Sequence, residues 1–202
     1  MEYERIEYPY DFYGFDEMTN KQAKQYFEWY MSVMEERIAY LEHYVNNDGT
    51  TIKLDYSRDS LMVLWKWFET KIYLEDKPIE EYERELAETP ECFREYVSKE
   101  ELSTETRKIM SDVAVYYGET FRRCFPINCH WDYVRSGKHN ISYHRPVLLG
   151  FSAAGEEFDP WLIVSNLAWE SLRKSEGKRL INNLDYWIEF YSKKKVNPSG
   201  VL

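Results

Sequence analysis

An apolar stripe between Ala23 and Val45 indicates a long amphipathic helix near the start of the chain. Its members recur at spacings of three and four, which is the repeat of one helix face. They are Ala23, Phe27, Tyr30, Met31, Met34, Ile38, Leu41 and Val45. Thr19 followed by Gln22 is the capping-box pattern that begins a helix. The run Asn46–Gly49 favours its end, because asparagine and glycine tolerate the left-handed backbone.

Further helical and strand-like patterns follow this helix. Helices are predicted after Ser57, from Ser103 or Thr104 to Cys124, after Asp159, and from Lys178 to Tyr191. Strands are predicted at Thr51–Tyr56, as a hairpin of His130–Val134 with Asn140–Tyr143, and at Pro146–Phe151. The sequence therefore predicts an α+β fold, a mainly helical single domain with a small antiparallel sheet. An extended N-terminal arm is expected over 1–18, the domain over 19–195 and a loose tail over 196–202.

The chain is rich in aromatic residues that carry a polar tip. Of its 202 residues, 18 are tyrosine and 7 are tryptophan. These side chains bury large apolar areas, and their hydroxyl and indole N–H groups need partners when buried. We therefore expect many hydrogen bonds from phenol and indole groups at the border of the core.

Negative charge is concentrated between Glu75 and Glu105, which we call the acidic segment. It holds twelve acidic and four basic residues. Pro78 and Pro90 divide it, so we expect one or two short helices separated by turns. The residues predicted to contact a partner are Glu80, Glu81, Tyr82, Glu83, Glu85, Phe93 and Tyr96. The alternative is a solvated surface that only keeps the protein in solution.

The overall charge of −10 excludes some classes of partner. Nucleic-acid binding without sequence specificity requires Lys and Arg to displace counterions from phosphates. Docking on anionic membranes requires a basic surface too. The sequence therefore predicts neither a nucleic-acid partner nor a membrane partner, and a basic protein is the expected partner of the acidic segment.

The three cysteines do not form a disulfide pattern. Cys92, Cys124 and Cys129 are odd in number and irregularly spaced. The N-terminal residues show no basic stretch followed by an apolar run, which a signal peptide would need. No stretch approaches the roughly 18 apolar residues of a membrane span. These observations favour a cytoplasmic protein with reduced thiols.

Cysteine and histidine residues lie close together between Cys124 and His144. The spacing Cys-x4-Cys-His lacks the paired turns that present ligands to zinc, so no metal site is predicted. Cys129 stays open as a nucleophile with His139 or His144 as its base. An enzyme of unrecognised type would use Cys129, His130 or His144 with a neighbouring carboxylate. Phosphate-loop, dinucleotide-binding and hydrolase motifs are absent from the sequence, and no cofactor is predicted.

Gly118 interrupts an otherwise helical run before Glu119. Glycine costs a helix about 1 kcal/mol relative to alanine. We therefore expect Gly118 to permit the close approach of Trp131 or a neighbouring helix. Glu119 is expected to pair with Arg122 or Arg123, which lie three and four residues later.

Three stretches together resemble a known group of sequences. They are Leu54–Leu61 leading into Trp65–Phe68, then Tyr116–Phe121 with Trp131, and then Arg145–Phe151. In this order they resemble a loosely defined group of small uncharacterised bacterial proteins, some of which look like immunity proteins of toxin systems. The resemblance implies a bacterial, cytoplasmic α+β protein and supplies no catalytic motif.

The sequence thus favours a non-enzymatic protein-binding module, similar to an immunity protein, that uses an acidic surface. Two alternatives stay open. One is the enzyme based on Cys129, His130 or His144, and the other is a structural or oligomerising protein.

Overall fold

The computed structural model describes residues 2–5, 7–9, 14–124, 129–150 and 156–196. Its helices are α1 (Asn20–Asn47), α2 (Arg58–Glu69), α3 (Ile79–Glu88), α4 (Thr104–Cys124), α5 (Pro160–Arg173) and α6 (Arg179–Val196). Its strands are β1 (Leu74–Asp76), β2 (Glu100–Leu102), β3 (His130–Tyr133) and β4 (Pro146–Leu149). A 3-10 helix spans Glu91–Tyr96. The strands form two small antiparallel sheets, β1–β2 and β3–β4, so the mainly helical α+β class is confirmed. Residues 197–202 of the predicted tail lie outside the described residues.

Helix α1 begins and ends where the sequence predicts. The Thr19 hydroxyl accepts a hydrogen bond from the Gln22 backbone N–H, and the Gln22 side chain accepts one from the Thr19 N–H. This reciprocal pair satisfies two N–H groups that the first turn leaves without helical partners. Gly49 follows the helix with a φ of +87°, which glycine adopts without strain. Most of the predicted stripe is buried or half-buried, and only Met31 is exposed.

Helix α4 forms the centre of the fold. Every residue from Asp112 to Phe121 is buried, so this part of the helix is covered on all sides. It packs against α1, α2 and α5, and α6 covers α2 and α5. The β3–β4 sheet lies against α1 and contributes Trp131 and Leu148 to the same core.

Gly118 lies where α4 meets the β3–β4 sheet and the start of α5. A Cβ atom built on Gly118 would lie 2.5 Å from Cη2 of Trp131 and 2.7 Å from Cγ of Pro160. No carbon atom fits at such distances, so the absent side chain is what allows these elements to approach. The prediction of a close approach at Gly118 is confirmed.

The predicted strand at Thr51–Tyr56 is wrong. Ile52 and Leu54 are buried as the alternating pattern requires, but the segment has no partner strand among the described residues. Side chains of α1 and α4 accept the backbone hydrogen bonds that a partner strand would otherwise accept. The Ile52 N–H donates to Asn46, the Leu54 N–H to Glu42 and the Tyr56 N–H to the hydroxyl of Tyr116.

The predicted hairpin is wrong in its second strand. His130–Tyr133 is a strand, but it pairs with Pro146–Leu149 and not with Asn140–Tyr143. Asn140 instead folds into turns, because its N–H donates to the Gly137 carbonyl and its side chain accepts from the Ser142 N–H. The predicted start of α5 is confirmed, with Asp159 accepting a hydrogen bond from the Leu162 N–H and Pro160 in the first turn.

Phenol and indole groups at the border of the core find partners, as predicted from the tyrosine and tryptophan content. The hydrogen-bonded pairs are Trp65 with Glu69, Trp67 with Asp48, Tyr116 with Ser60, Tyr117 with Asn183 and Trp131 with Glu119. Trp187 is an exception, since its buried indole nitrogen has no hydrogen-bond partner within the described part of the chain.

The N-terminal residues are held to the core by a buried ion pair. Arg37 of α1 donates through Nε to both carboxylate oxygens of Asp112 on α4, at 3.1 and 3.2 Å. Its Nη2 also donates to the backbone carbonyl of Glu4, at 2.9 Å. The Tyr3 hydroxyl donates to Asp112 as well. Burial raises the pKa of Tyr3 well above its usual range, so the phenol remains a donor.

Candidate functional site

The acidic segment projects from the helical body on a two-stranded base. Strands β1 and β2 pair, and the chain between them forms α3 and the 3-10 helix. No residue between Lys71 and Glu101 is buried. Among described residues, the hydrogen bonds and ion pairs made by 78–98 stay inside the segment. The hydrogen bonds and ion pairs that join the described segment to the body therefore lie at its base.

Acidic residues face each other across this base. In the β1–β2 ladder Glu75 lies opposite Glu101, and Asp76 lies opposite Glu100. Like charges in directly opposed positions destabilise a strand pair. Arg107 of α4 offsets the first pair, since its guanidinium contacts both Glu75 and Glu101. Asp76 and Glu100 have no ion-pair partner in the described ranges, so their repulsion is uncompensated.

Helix α3 presents most of the predicted acidic residues to solvent. Glu80, Glu81 and Glu83 are exposed and form no ion pair with any described residue. Glu85 differs, because its carboxylate contacts the ammonium group of Lys77. Three of the four predicted glutamates are therefore available to a cationic partner.

Apolar side chains are exposed beside these acids. Phe93 is 57% exposed and Tyr96 is 75% exposed, whereas Tyr82 is half-buried under the Lys99 ammonium group, 5.9 Å from the ring centroid. Ile79 is 65% exposed and was not among the residues predicted from sequence. Its position before Tyr82 and Leu86, at a helical spacing, is the sequence signal that could have found it. Exposed acidic and exposed apolar groups thus both occur on the acidic segment.

The cysteine and histidine residues of the enzyme alternative occupy structural positions. Cys129 is buried in the hydrophobic core, and burial raises the pKa of its thiol to about 11. A thiol with such a pKa supplies almost no thiolate nucleophile near neutral pH. His144 is buried with its Nδ1 3.0 Å from the Phe15 carbonyl and its Nε2 3.0 Å from the Asn20 side chain. His130 is exposed on β3. This geometry does not support a catalytic pair.

The buried carboxylate of Glu119 on α4 forms a second charged cluster. Its carboxylate accepts hydrogen bonds from Arg122, from Arg123 and from the indole N–H of Trp131. The predicted pairing of Glu119 is thereby confirmed, with both arginines taking part. Burial alone would raise the pKa of Glu119, but the hydrogen bonds from the two arginines and Trp131 together lower it to about 2. Glu119 therefore stays ionised at neutral pH and is a poor general base.

Replacing Glu119 with glutamine is expected to lower the free energy of unfolding at pH 7 by about 1–2 kcal/mol. Arg122 and Arg123 are 38% and 45% exposed, so solvent weakens the ion pairs to this level. A carboxyl group whose folded pKa is depressed stabilises the fold above its unfolded pKa, near 4.5, and loses that effect as pH falls towards 2. Urea unfolding across this range should show the difference from wild type shrinking. A constant difference would contradict the assignment, and Glu17→Gln serves as the exposed control.

Metal and membrane sites have no counterpart in the described structure. No group of three or more His, Cys, Asp or Glu side chains is placed to hold a metal ion in the described ranges. Within those same ranges, no helix combines the length and apolar character that crossing a bilayer demands. Comparisons with protein-family models, curated proteins and solved structures find no match to this chain.

Proposed function

We propose that this protein is a non-enzymatic binding module whose acidic segment contacts a basic protein partner. The observation that supports the proposal is a projecting segment in which no residue from 75 to 101 is buried, and which exposes Phe93 and Tyr96 as well as the unpaired glutamates. Burial of apolar groups is the main source of folding free energy, so a stretch that buries none of them gains little from being ordered. A partner that covers these groups would supply that gain.

The charge distribution indicates the chemistry of the partner. Glu80, Glu81 and Glu83 lie on one short helix. Asp76 and Glu100 repel each other across the β1–β2 base of the segment. A basic surface would relieve this repulsion on binding. Complementary charge steers two proteins together and raises the association rate. Aromatic groups such as Phe93 and Tyr96 lose contact with water at the centre of an interface and slow dissociation.

Inhibition of a secreted toxin would fit this mechanism, in keeping with the resemblance to immunity proteins. The acidic segment would occupy a basic site that the toxin uses for its own substrate. The two proteins would meet in the cytoplasm of a bacterium. The adjacent reading frame in the genome is the first place to seek such a partner.

Neutralising the three unpaired glutamates is expected to slow association with such a partner. The variant Glu80→Gln, Glu81→Gln, Glu83→Gln should lower the association rate constant about tenfold at low ionic strength and flatten its dependence on salt. The dissociation rate should change little, because solvated charges act mainly on the encounter. Stopped-flow binding to the product of the adjacent reading frame measures both rates. These positions are exposed, so folding should be unaffected.

A control variant carries the same change in net charge elsewhere on the chain. Replacing Glu17, Glu35 and Glu36 with glutamine also removes three exposed acids that form no ion pair with a described residue. Steering by the acidic segment predicts a much smaller effect from this control. Equal association rates for wild type and both variants would contradict the proposal. Equal slowing by both variants would show that only the net charge matters and not the segment.

A further inference from the structure

A cavity of about 390 Å³ lies between the N-terminal arm, α1, α4 and the start of α5. This volume is within the range of small-molecule sites, which is roughly 300–1,000 Å³. Its walls are mainly aromatic and come from separate parts of the chain. The aromatic residues that line it are Tyr8, Phe15, Tyr26, Trp29, Tyr30 and Trp161. The cavity is therefore lined largely by aromatic side chains from several parts of the chain.

The charge of the cavity is opposite to that of the chain. Among the described residues that line it, five are basic and one, Asp112, is acidic, although the chain as a whole carries −10. Three of the five are neutralised by ion pairs: Arg37 by Asp112, Arg107 by Glu75 and Glu101, and Lys108 by Glu2. Two arginines remain.

Those two are Arg5 and Arg145, and neither forms an ion pair with a described residue. Both side chains line the same cavity, and both guanidinium groups act electrostatically on the hydroxyl of Tyr26. Burial raises the pKa of Tyr26 to about 12, and the two arginines oppose that rise. Tyr26 is therefore neutral at pH 7 and supplies no counter-charge to them.

Arg145 is held in a defined position. Its guanidinium carbon lies 4.5 Å from the ring centroid of Trp161 and 5.1 Å from that of Phe15. Its backbone N–H donates to the Ser142 carbonyl, at 2.9 Å. A guanidinium group stacked on rings keeps its N–H donors at its edge, in the fork that matches a carboxylate or phosphate. Little side-chain freedom would be lost when an anion binds.

We propose that this cavity binds a small flat aromatic anion, with its ring between the aromatic walls and its carboxylate or phosphate group on Arg5 and Arg145. A neutral aromatic molecule would leave two guanidinium groups without an anion. An aliphatic anion would leave the aromatic walls uncovered. Only a molecule with both features satisfies the two halves of the site. This ligand site adjoins the base of the acidic segment through Thr104 and Arg107. The three unpaired glutamates of α3 are not among the residues that line it, and it does not require the protein partner.

The fluorescent anion 1-anilinonaphthalene-8-sulfonate is a suitable probe, because its naphthalene ring carries one sulfonate group. We expect saturable binding of one molecule per chain. The negative charge of the protein elsewhere disfavours this anion, which confines it to the basic cavity. N-phenyl-1-naphthylamine has the same rings without the sulfonate and serves as the neutral probe.

Replacing Arg145 with glutamine should weaken binding of the sulfonate about tenfold or more, since a hydrogen bond to a charged group is worth roughly 1.5–3 kcal/mol. Affinity for the neutral probe should change less than about twofold. Arg5→Gln should also weaken binding of the sulfonate. The described cation–π contacts of Phe15 and Trp161 are made by Arg145 and not by Arg5, so this variant leaves those contacts intact. Arg173→Gln removes one exposed positive charge from α5 outside the cavity and should change neither affinity.

Competition then distinguishes the two kinds of anionic group. Adenosine monophosphate carries a phosphate, and indole-3-acetate carries a carboxylate. Displacement of the sulfonate by either molecule supports the proposal and identifies the preferred group. The proposal is overturned if the sulfonate shows no saturable binding, if neither competitor displaces it, or if Arg145→Gln and Arg5→Gln weaken both probes equally.

Discussion

Replacing Arg37 with methionine should lower the free energy of unfolding by about 3–5 kcal/mol, the largest loss expected from any single change considered for this protein. The Asp112 carboxylate would then remain buried in α4 without its cation. Burial raises the pKa of Asp112, and contact with Arg37 and Tyr3 opposes that rise. The Glu4 carbonyl would lose a hydrogen bond as well. Urea unfolding at neutral pH measures the loss.

A double-mutant cycle separates the ion pair from the general cost of altering the core. Asp112→Leu alone should also be strongly destabilising, because it leaves the Arg37 guanidinium buried without its carboxylate. Combining Arg37→Met with Asp112→Leu should cost much less than the sum of the two, since apolar groups of similar size often replace a buried pair at little cost. Strict additivity would show that the two side chains are not coupled.

The parts of the fold that could be predicted from sequence depend on residues close together in the chain. The capping box of Thr19 and Gln22 acts over three residues, and the stripe that follows it is a property of one helix. Asp159 before Pro160 is equally local. Gly118 could be interpreted because glycine weakens a helix, so its presence inside one indicates that a neighbouring element packs closely there.

The strand predictions were wrong where side chains distant in the sequence determine the hydrogen bonds of the backbone. Ile52 and Leu54 alternate like a strand, but Glu42 and Asn46 of α1 bind their N–H groups. No pattern within 51–56 reveals such acceptors. The partner of β3 was missed for a related reason. Asn140–Tyr143 and Pro146–Phe151 were both predicted strands. Asn140 folds into a turn, so β3 pairs with Pro146–Leu149 of the second.

The candidate sites also combine features that local sequence predicts with features that depend on residues distant in the chain. The exposure of Glu80, Glu81 and Glu83 follows from their charge, because carboxylates without a partner stay in contact with water. The capture of Glu85 by Lys77 requires the chain to fold back from α3 to β1, which a linear pattern does not contain. The basic cavity was not predicted at all. Arg5 and Arg145 are 140 positions apart, and only the folded chain places both in the lining of one cavity.

Replacing Gly118 with alanine should destabilise the protein by about 2 kcal/mol, although alanine is the better helix former by about 1 kcal/mol. The added Cβ would overlap Trp131 and Pro160, at 2.5 and 2.7 Å. Neither ring can move easily, because the Trp131 indole donates to Glu119 and Pro160 begins α5. The overlap must therefore be relieved by shifting β3 or α5 away from α4.

Gly177→Ala is the matched control for this effect. Its added Cβ would lie equally close to a neighbour, 2.4 Å from Cγ of Lys66. Lys66 is an exposed flexible side chain, and a change of rotamer moves the whole of it away. We therefore expect Gly177→Ala to change the free energy of unfolding by less than about 0.5 kcal/mol. Both variants can be compared by urea unfolding under identical conditions. Equal losses would mean that proximity alone, and not the rigidity of Trp131 and Pro160, decides the cost of a side chain at Gly118.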